Sequence, residues 1–146
     1  MTRPIDPTEV ISKLSPPLAD AVQEDNLSLV VRPDKLFALV SYLNSEPSLA
    51  IDYLGDLTAV DYLEHIELIY RLVSLEKNQV LQVKVRLQGR DEPQVPSITP
   101  LLSGADFMER EVFDLMGVRF QNHPSLRRIM LWEGFPGHPL RKDYAP

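Results

Sequence analysis

Cysteine is absent from the chain, so it forms no disulfide, offers no thiolate nucleophile and lacks the ligands of a thiolate zinc site or an iron–sulfur cluster. Glycine is sparse, six in 146 residues, and none belongs to a G-x-G-x-x-G or Walker-type loop, so nucleotide binding by this chain has no sequence support. No apolar run approaches the ~20 residues of a membrane-spanning helix, and Leu36–Val40 is among the longest. The start, Met1-Thr2-Arg3-Pro4, has no apolar stretch behind its basic residue and does not read as a secretory signal. The few serines lie outside any nucleophile-elbow context. What is left, 44% hydrophobic and 25% charged, is the composition of one globular domain with one core.

Positive charge is scarce over most of the chain and then gathers at its end. Residues 1–117 carry 10 Lys/Arg against 19 Asp/Glu, whereas residues 118–146 carry 5 against 2. A uniformly acidic protein would argue against polyanionic partners; a segregated one asks what its basic end touches.

The pattern predicts helix, two strands, helix and about three strands. Asp6-Pro7-Thr8-Glu9 has the form of a helix start, Val10, Ile11 and Leu14 supply an apolar face, and Pro16-Pro17 stops it. Leu18–Glu24 and Leu27–Val31 read as strands joined by a turn at Asp25-Asn26. Pro33 opens a helix with apolar positions 36, 37, 39, 40 and 43. Strict alternation at Ile66, Leu68, Tyr70 and Leu72, then at Leu81, Val83, Val85 and Leu87 beyond Lys77-Asn78, marks a hairpin with one buried face. These segregated runs predict an α+β two-layer sandwich, helices on a mixed, mostly antiparallel sheet of about five strands, followed by a helix and a long extended C-terminal segment. The expected division is an α/β body over 1–103, a helix over 104–117 and an extended segment over 118–146.

Within the body, Gln88–Ser103, punctuated by Pro93, Pro96 and Pro100, is expected to cross the surface in extended form. Ser103 then resembles an N-cap, with Asp106 completing an approximate capping box. Met108, Val112, Leu115 and Met116 share one face of the helix, and Asp106, Arg110 and Asp114 form a stripe that can pair with itself at spacings of four. Gly117 stands where a terminating glycine takes positive φ.

The last 29 residues contain Pro124, Pro136, Pro139 and Pro146, yet Phe120, Leu126, Ile129, Met130, Leu131, Trp132, Phe135, Leu140 and Tyr144 make them too apolar for a solvated tail. Apolar, basic, irregular chain is best explained as laid against another surface, a partner protein in first place. Candidates for chemistry are weaker. Asp52, Asp56, Asp61, Glu64 and His65 cluster without any ligand spacing, and His123-Pro124 and His138-Pro139 read better as packed, hydrogen-bonded histidines than as a metal pair. Arg127-Arg128 and Arg141-Lys142 among aromatics offer an RNA-binding alternative, but four cations on a body of net −9 are a small footprint.

Glu109-Arg110-Glu111-Val112-Phe113-Asp114-Leu115-Met116-Gly117 closely resembles the E-R-E-x-x-D-hydrophobic-hydrophobic-G signature of the thirty-kilodalton-type (30 kDa-type) subunit of respiratory complex I. His123-Pro124-Ser125-Leu126-Arg127-Arg128-Ile129 and Gly137-His138-Pro139-Leu140-Arg141-Lys142-Asp143-Tyr144 are similar to its two further hallmarks, as are Asp56–Tyr62 and Val95–Thr99 upstream. The sequence departs from the family at Phe107, where Trp is common, at Asn122, where Gly commonly precedes His-Pro and Asn is the next residue most tolerant of positive φ, and over Trp132-Glu133-Gly134-Phe135-Pro136.

The resemblance implies a non-redox structural or assembly subunit in the peripheral arm of a proton-pumping NADH:quinone oxidoreductase. A related ion-pumping hydrogenase or ferredoxin-linked dehydrogenase is the alternative, and a small RNA- or protein-binding module the alternative of another class. No active site and no cofactor are implied for this chain, while the whole complex uses NADH, FMN, iron–sulfur clusters and quinone. The implied partners are a hydrogenase-large-subunit-like neighbour and a small iron–sulfur subunit, without nucleic acid, at the cytoplasmic face of the cell membrane and touching it only through the complex. The implied partner interface comprises Glu109, Arg110, Glu111, Asp114 and Gly117 on the helix, then His123, Pro124, Leu126, Arg127, Arg128, Ile129, Trp132, Phe135, His138, Pro139, Leu140, Arg141, Lys142, Asp143 and Tyr144 on the tail. The expected mechanism is a clamp, with tail cations on the partner's carboxylates and apolar side chains in its grooves.

Overall fold

Asp6 starts the first helix as its sequence context requires: its carboxylate accepts the Thr8 amide at 3.0 Å, and Pro7 takes the first helical position. In the computed structural model, which describes residues 2–146, this helix is α1 (Pro7–Lys13), preceded by a two-residue strand, β1 (Arg3–Pro4). Pro16-Pro17 ends α1 but also opens a short helix, α2 (Pro16–Ala19), so the strand expected from Leu18 begins only at β2 (Val22–Asp25). A proline that blocks one helix is pre-set for the first turn of the next. Asn26, at φ 57°, turns the chain into β3 (Ser28–Val31).

A 3₁₀ turn at Pro33–Lys35 leads into α3 (Leu36–Ser45), where Leu36, Leu39, Val40 and Leu43 are buried while Phe37, counted on that face from its spacing, is 37% exposed. Then come β4 (Tyr53–Asp61), β5 (His65–Ser74) and β6 (Gln79–Gln88), with Asn78 at φ 53° closing the β5–β6 loop. The sheet order is β2-β3-β6-β5-β4, with β1 added parallel to β6 beside β3. It is a mixed, mostly antiparallel sheet with helices, the α+β architecture expected, and β1 is its sixth strand. The hairpin register puts Ile66 opposite Leu87, Leu68 opposite Val85, Tyr70 opposite Val83 and Leu72 opposite Leu81. All eight are buried, whereas Arg71 and Gln82 on the other face are exposed.

The largest departure lies in Gln88–Ser103. It is not a surface linker: β7 (Gln94–Pro96) pairs in parallel with β8 (Arg119–Gln121), and Val95, Ile98 and Leu102 are buried in the core. Between those strands runs α4 (Ala105–Met116). Its N-cap is Gly104 rather than Ser103, with no side-chain cap, and the residues it buries are Ala105, Glu109, Val112, Asp114 and Met116; Met108 and Leu115 are half-buried.

Tyr70 is fully buried, and its hydroxyl has no hydrogen-bond partner among the described residues. Burial, with Glu109 nearby as a smaller contribution, pushes the phenol pKa well above its ordinary value. Tyr70→Phe removes an unsatisfied polar atom and keeps the ring. Urea unfolding should show unchanged stability or a gain of about 1 kcal/mol.

Candidate functional site

An α-helix leaves its last four carbonyls without intrahelical partners. In α4 the following chain supplies them. Gly117, at φ 77°, donates its amide to the Phe113 carbonyl at 2.9 Å. The Asp114 carbonyl accepts from the Arg128 guanidinium at 3.1 Å and from His138 Nδ1 at 2.9 Å. The Leu115 carbonyl accepts the Leu140 amide at 3.0 Å, and the Met116 carbonyl accepts Arg141 Nη1 at 3.4 Å. The tail beyond β8 thus caps the helix it follows, and Arg128 and Arg141 lie at the negative end of the helix dipole.

Asp114 is the centre of this arrangement. Its buried carboxylate accepts Arg128 Nη1 at 2.6 Å through one oxygen and the successive amides of Ile129, Met130 and Leu131 at 3.2, 2.7 and 2.8 Å through the other. Burial acts to raise its pKa, but the Leu131 amide, the Arg128 guanidinium and the Met130 and Ile129 amides outweigh it and hold the carboxyl below its ordinary value. The second guanidinium nitrogen of Arg128 bonds the carbonyls of Phe135 and Gly137, both at 2.8 Å. Arg110 holds the carbonyls of Arg127 and Arg128, both at 3.1 Å. Among the described residues the charged stripe of α4 therefore does not pair with itself: Arg110 and Asp114 hold tail backbone, and His123 Nε2 donates to the Asp106 main-chain carbonyl at 3.1 Å, which leaves Asp106 Oδ1 without a hydrogen-bond partner.

The end of the tail is held by a second lock. Asp61 takes Arg90 through both oxygens, at 2.6 and 2.7 Å, and also accepts the Lys142 amide at 2.8 Å. The Arg90 bonds hold the Asp61 carboxyl far below the ordinary carboxylate range against the opposing effect of burial. Arg141 bonds Asp143 at 3.1 Å and the Arg90 carbonyl at 2.7 Å. Sequence reasoning misses Arg90, because one arginine in a polar stretch carries no local signal; Asp61 stands out only as one of an acidic cluster and within the Asp56–Tyr62 motif, neither of which points to the tail.

The remaining candidates divide by exposure. Glu109 is fully buried, accepting Ser97 Oγ at 2.6 Å and the Ile98 amide at 2.9 Å. His123 is buried, and Ser125 donates its amide to Nδ1 at 2.9 Å, which puts the proton of the neutral ring on Nε2. His123 and His138 thus each use a ring nitrogen on an α4 carbonyl, the packed state expected of them. Gly117 has no room for a side chain, since a Cβ would meet His138 Cδ2 at 2.7 Å. Leu126 packs against the core and Pro139 is half-buried. Phe135 lies between Trp132, at 5.6 Å between ring centroids, and Tyr144, at 6.5 Å, with Arg128 over its face.

At the surface stand Glu111, Pro124, Arg127, Lys142 and the large apolar side chains Ile129, Met130, Trp132 and Leu140, the last three each more than 60% exposed. Leu140 and Glu111 also line a shallow groove with Leu57, Ala59, Val112 and Leu115. Asn122 takes φ 65°, the left-handed conformation that asparagine tolerates next best after glycine. Among the described residues no helix is long and apolar enough to cross a membrane, and no group of three or more His, Cys, Asp and Glu is placed to hold a metal ion. The tail is a hydrogen-bonded strap across the end of α4 that leaves large apolar side chains exposed.

Comparison with known proteins places these motifs in context. The model of the family described as the respiratory-chain NADH dehydrogenase 30 kDa subunit matches residues 29–146. The C subunit of the NADH-quinone oxidoreductase of Moorella thermoacetica is 45% identical over 136 residues, covering 92% of this chain and 90% of that one. The protein of the same name from a Roseiflexus species is 38% identical over 149 residues, covering 95% and 84%. A probable mitochondrial NADH-ubiquinone oxidoreductase 30.4 kDa subunit of Candida maltosa is 40% identical over 127 residues, covering 85% of this chain and 45% of that longer one. Among solved structures, a chain of the membrane-bound sulfane sulfur reductase, an archaeal respiratory membrane complex, shares the fold with a TM-score of 0.77 at 23% identity, over 94% of this chain and 82% of that one.

Proposed function

Because the chain belongs to the family of the respiratory-chain NADH dehydrogenase 30 kDa subunit, we propose that it serves as a non-redox structural subunit in the peripheral arm of a membrane-associated NADH:quinone oxidoreductase, with the tail and the adjoining face of α4 as its docking surface. On this reading the chain has no active site and binds no cofactor. NADH, FMN, iron–sulfur clusters and quinone belong to the other subunits. The partners are the hydrogenase-large-subunit-like neighbour and the small iron–sulfur subunit, at the cytoplasmic face of the membrane. The division into a body over 1–103, a helix over 104–117 and a docking segment over 118–146 belongs to the same proposal.

One observation carries the reading. The tail backbone is tied to the body through Arg110, Asp114 and Asp61 while Met130, Trp132 and Leu140 stay more than 60% exposed; exposed aromatic and aliphatic anchors on ordered backbone are the composition of a protein interface. The geometry changes which cations do the docking. Arg128 and Arg141 are engaged by Asp114 and Asp143, which leaves Arg127 and Lys142, with no ion pair among the described residues, to meet a partner's carboxylates.

Trp132→Asp together with Met130→Asp, in the full chain, should leave unfolding by urea within about 0.5 kcal/mol of the parent, as for exposed positions elsewhere. Co-purification with the other subunits from membranes should fall at least about tenfold, the loss of one or more anchors of ~2 kcal/mol. Undiminished co-purification of a folded double variant would sink the docking role of this surface.

A further inference from the structure

Glu109 is a carboxyl with no exposed surface and no cationic side chain in hydrogen-bond reach. Three titratable groups face it. Asp106 comes from its own helix, His123 comes from the tail with Nε2 at 3.9 Å, and Tyr70 comes from β5. His123 accepts the Ser125 amide at Nδ1 and directs Nε2 to the Asp106 carbonyl. What bonds Glu109 directly is the Ile98 amide and the Ser97 hydroxyl.

That hydroxyl is not the end of the line. Ser97 Oγ lies 2.9 Å from Thr99 Oγ1, a contact in which either oxygen can donate, and it accepts the Thr99 amide at 3.1 Å. Thr99 in turn lines an open surface depression with Pro100, Ser103, Asp106, Asn122 and Pro124. A serine hydroxyl has one proton and can donate only once. With Glu109 ionised, Ser97 donates to the carboxylate and Thr99 donates to Ser97. With Glu109 protonated, the carboxyl donates to Ser97 and Ser97 donates to Thr99. Both directions satisfy every member without moving a heavy atom.

We propose that Glu109, Ser97 and Thr99 form a proton-exchange site, in which a single proton passes between water in the surface depression and the buried carboxyl by reversal of the two hydroxyl bonds. The step balances atom by atom. Thr99 Oγ1 takes a proton from water and gives its own to Ser97 Oγ, which gives its own to Glu109 Oε1; release runs the same chain backwards. The inference is independent of any docking role, since every atom belongs to this chain. Burial, the leading influence, pushes the Glu109 pKa up to about 7, with the Ser97 and Ile98 bonds opposing and Asp106 adding to the rise. The site therefore fills and empties close to neutral pH. Because the folded value lies above the unfolded one, the site's contribution to stability is complete below about pH 4.5 and is lost as pH rises through about 7.

The test is a titration of the full chain carrying ¹³C-labelled glutamate carboxyls, followed by NMR from pH 4 to 9. One carboxyl should titrate near 7 and be missing from Glu109→Gln. Ser97→Ala, which removes a donor to the anion, should move that midpoint up, and Thr99→Val, which removes the acceptor that Ser97 needs in the acid state, should move it down, each by about half a unit or more. If Glu109→Gln fails to fold, the opposite shifts in the two hydroxyl variants identify the same carboxyl. The proposal is overturned if no carboxyl titrates above pH 6, or if the midpoint responds to Ser97→Ala and not to Thr99→Val, since the chain would then stop short of the surface.

Discussion

An Asp114→Ala chain should lose about 3–5 kcal/mol of the free energy that holds its tail, the range for removing one partner of a buried, hydrogen-bonded ion pair. The change strands the amides of Ile129, Met130 and Leu131 and takes the counter-charge from the half-buried Arg128 guanidinium, which keeps only carbonyl acceptors. Hydrogen exchange is the direct readout. Amide protection at Ile129–Leu131 should fall by two to three orders of magnitude, while β5 and β6, whose ladder does not depend on the tail, keep theirs. The parent chain should show the same loosening in acid. Asp114 is held below its ordinary pKa in the folded state. Its contribution is therefore complete above the unfolded value near pH 4 and is lost as pH falls through the lower folded value. Unchanged protection in Asp114→Ala would mean that apolar contacts alone hold the tail.

Gly117→Ala should be the second most damaging of these changes, by about 2–4 kcal/mol. The backbone there has φ 77°, and the new methyl would meet His138 Cδ2 at 2.7 Å. Positive φ alone accounts for ~1 kcal/mol; the rest is the displacement of His138 from the Asp114 carbonyl and of the chain that follows it. Gly104→Ala is the internal comparison. That residue has φ −63°, and its Cβ would meet nothing within 4 Å, so the substitution should be neutral or stabilising by ~0.4–1 kcal/mol. Thermal unfolding of the two variants side by side checks both, and equal effects would show that the approach of His138 is unimportant.

Local rules recovered what local physics determines. The alternation of β5 and β6, the Asp6 cap and the Gly117 turn each depend on residues a few places apart, and each was readable; the positive φ of Asn122 was suggested only by the family resemblance. The segment 88–103 was not. Its prolines and charges hide Val95, Ile98 and Leu102, and its pairing partner, β8, lies 25 positions further on. The α4 stripe failed for a related reason. Spacing by four makes self-pairing available to Asp106, Arg110 and Asp114, but it cannot show that three backbone amides of a later segment offer Asp114 a better site. Likewise the burial of Glu109 on Ser97 links a helix to the segment just after β7 through side chains 12 residues apart, a distance at which no periodicity speaks.

The capping of α4 by its own tail also determines when conformational entropy is surrendered. Segments that order only on contact lose ~0.5–1.5 kcal/mol for each side chain immobilised at the moment of association. Here the backbone from Arg127 to Asp143 is already fixed through Asp114, Arg110 and Asp61, so that loss falls on folding. On the proposed docking role, a partner would meet Trp132 and Met130 in place, as a rigid body meets another. Their encounter should then run at the ordinary protein–protein rate of ~10⁵–10⁷ M⁻¹s⁻¹, without the slow phase of a chain that must first find its shape.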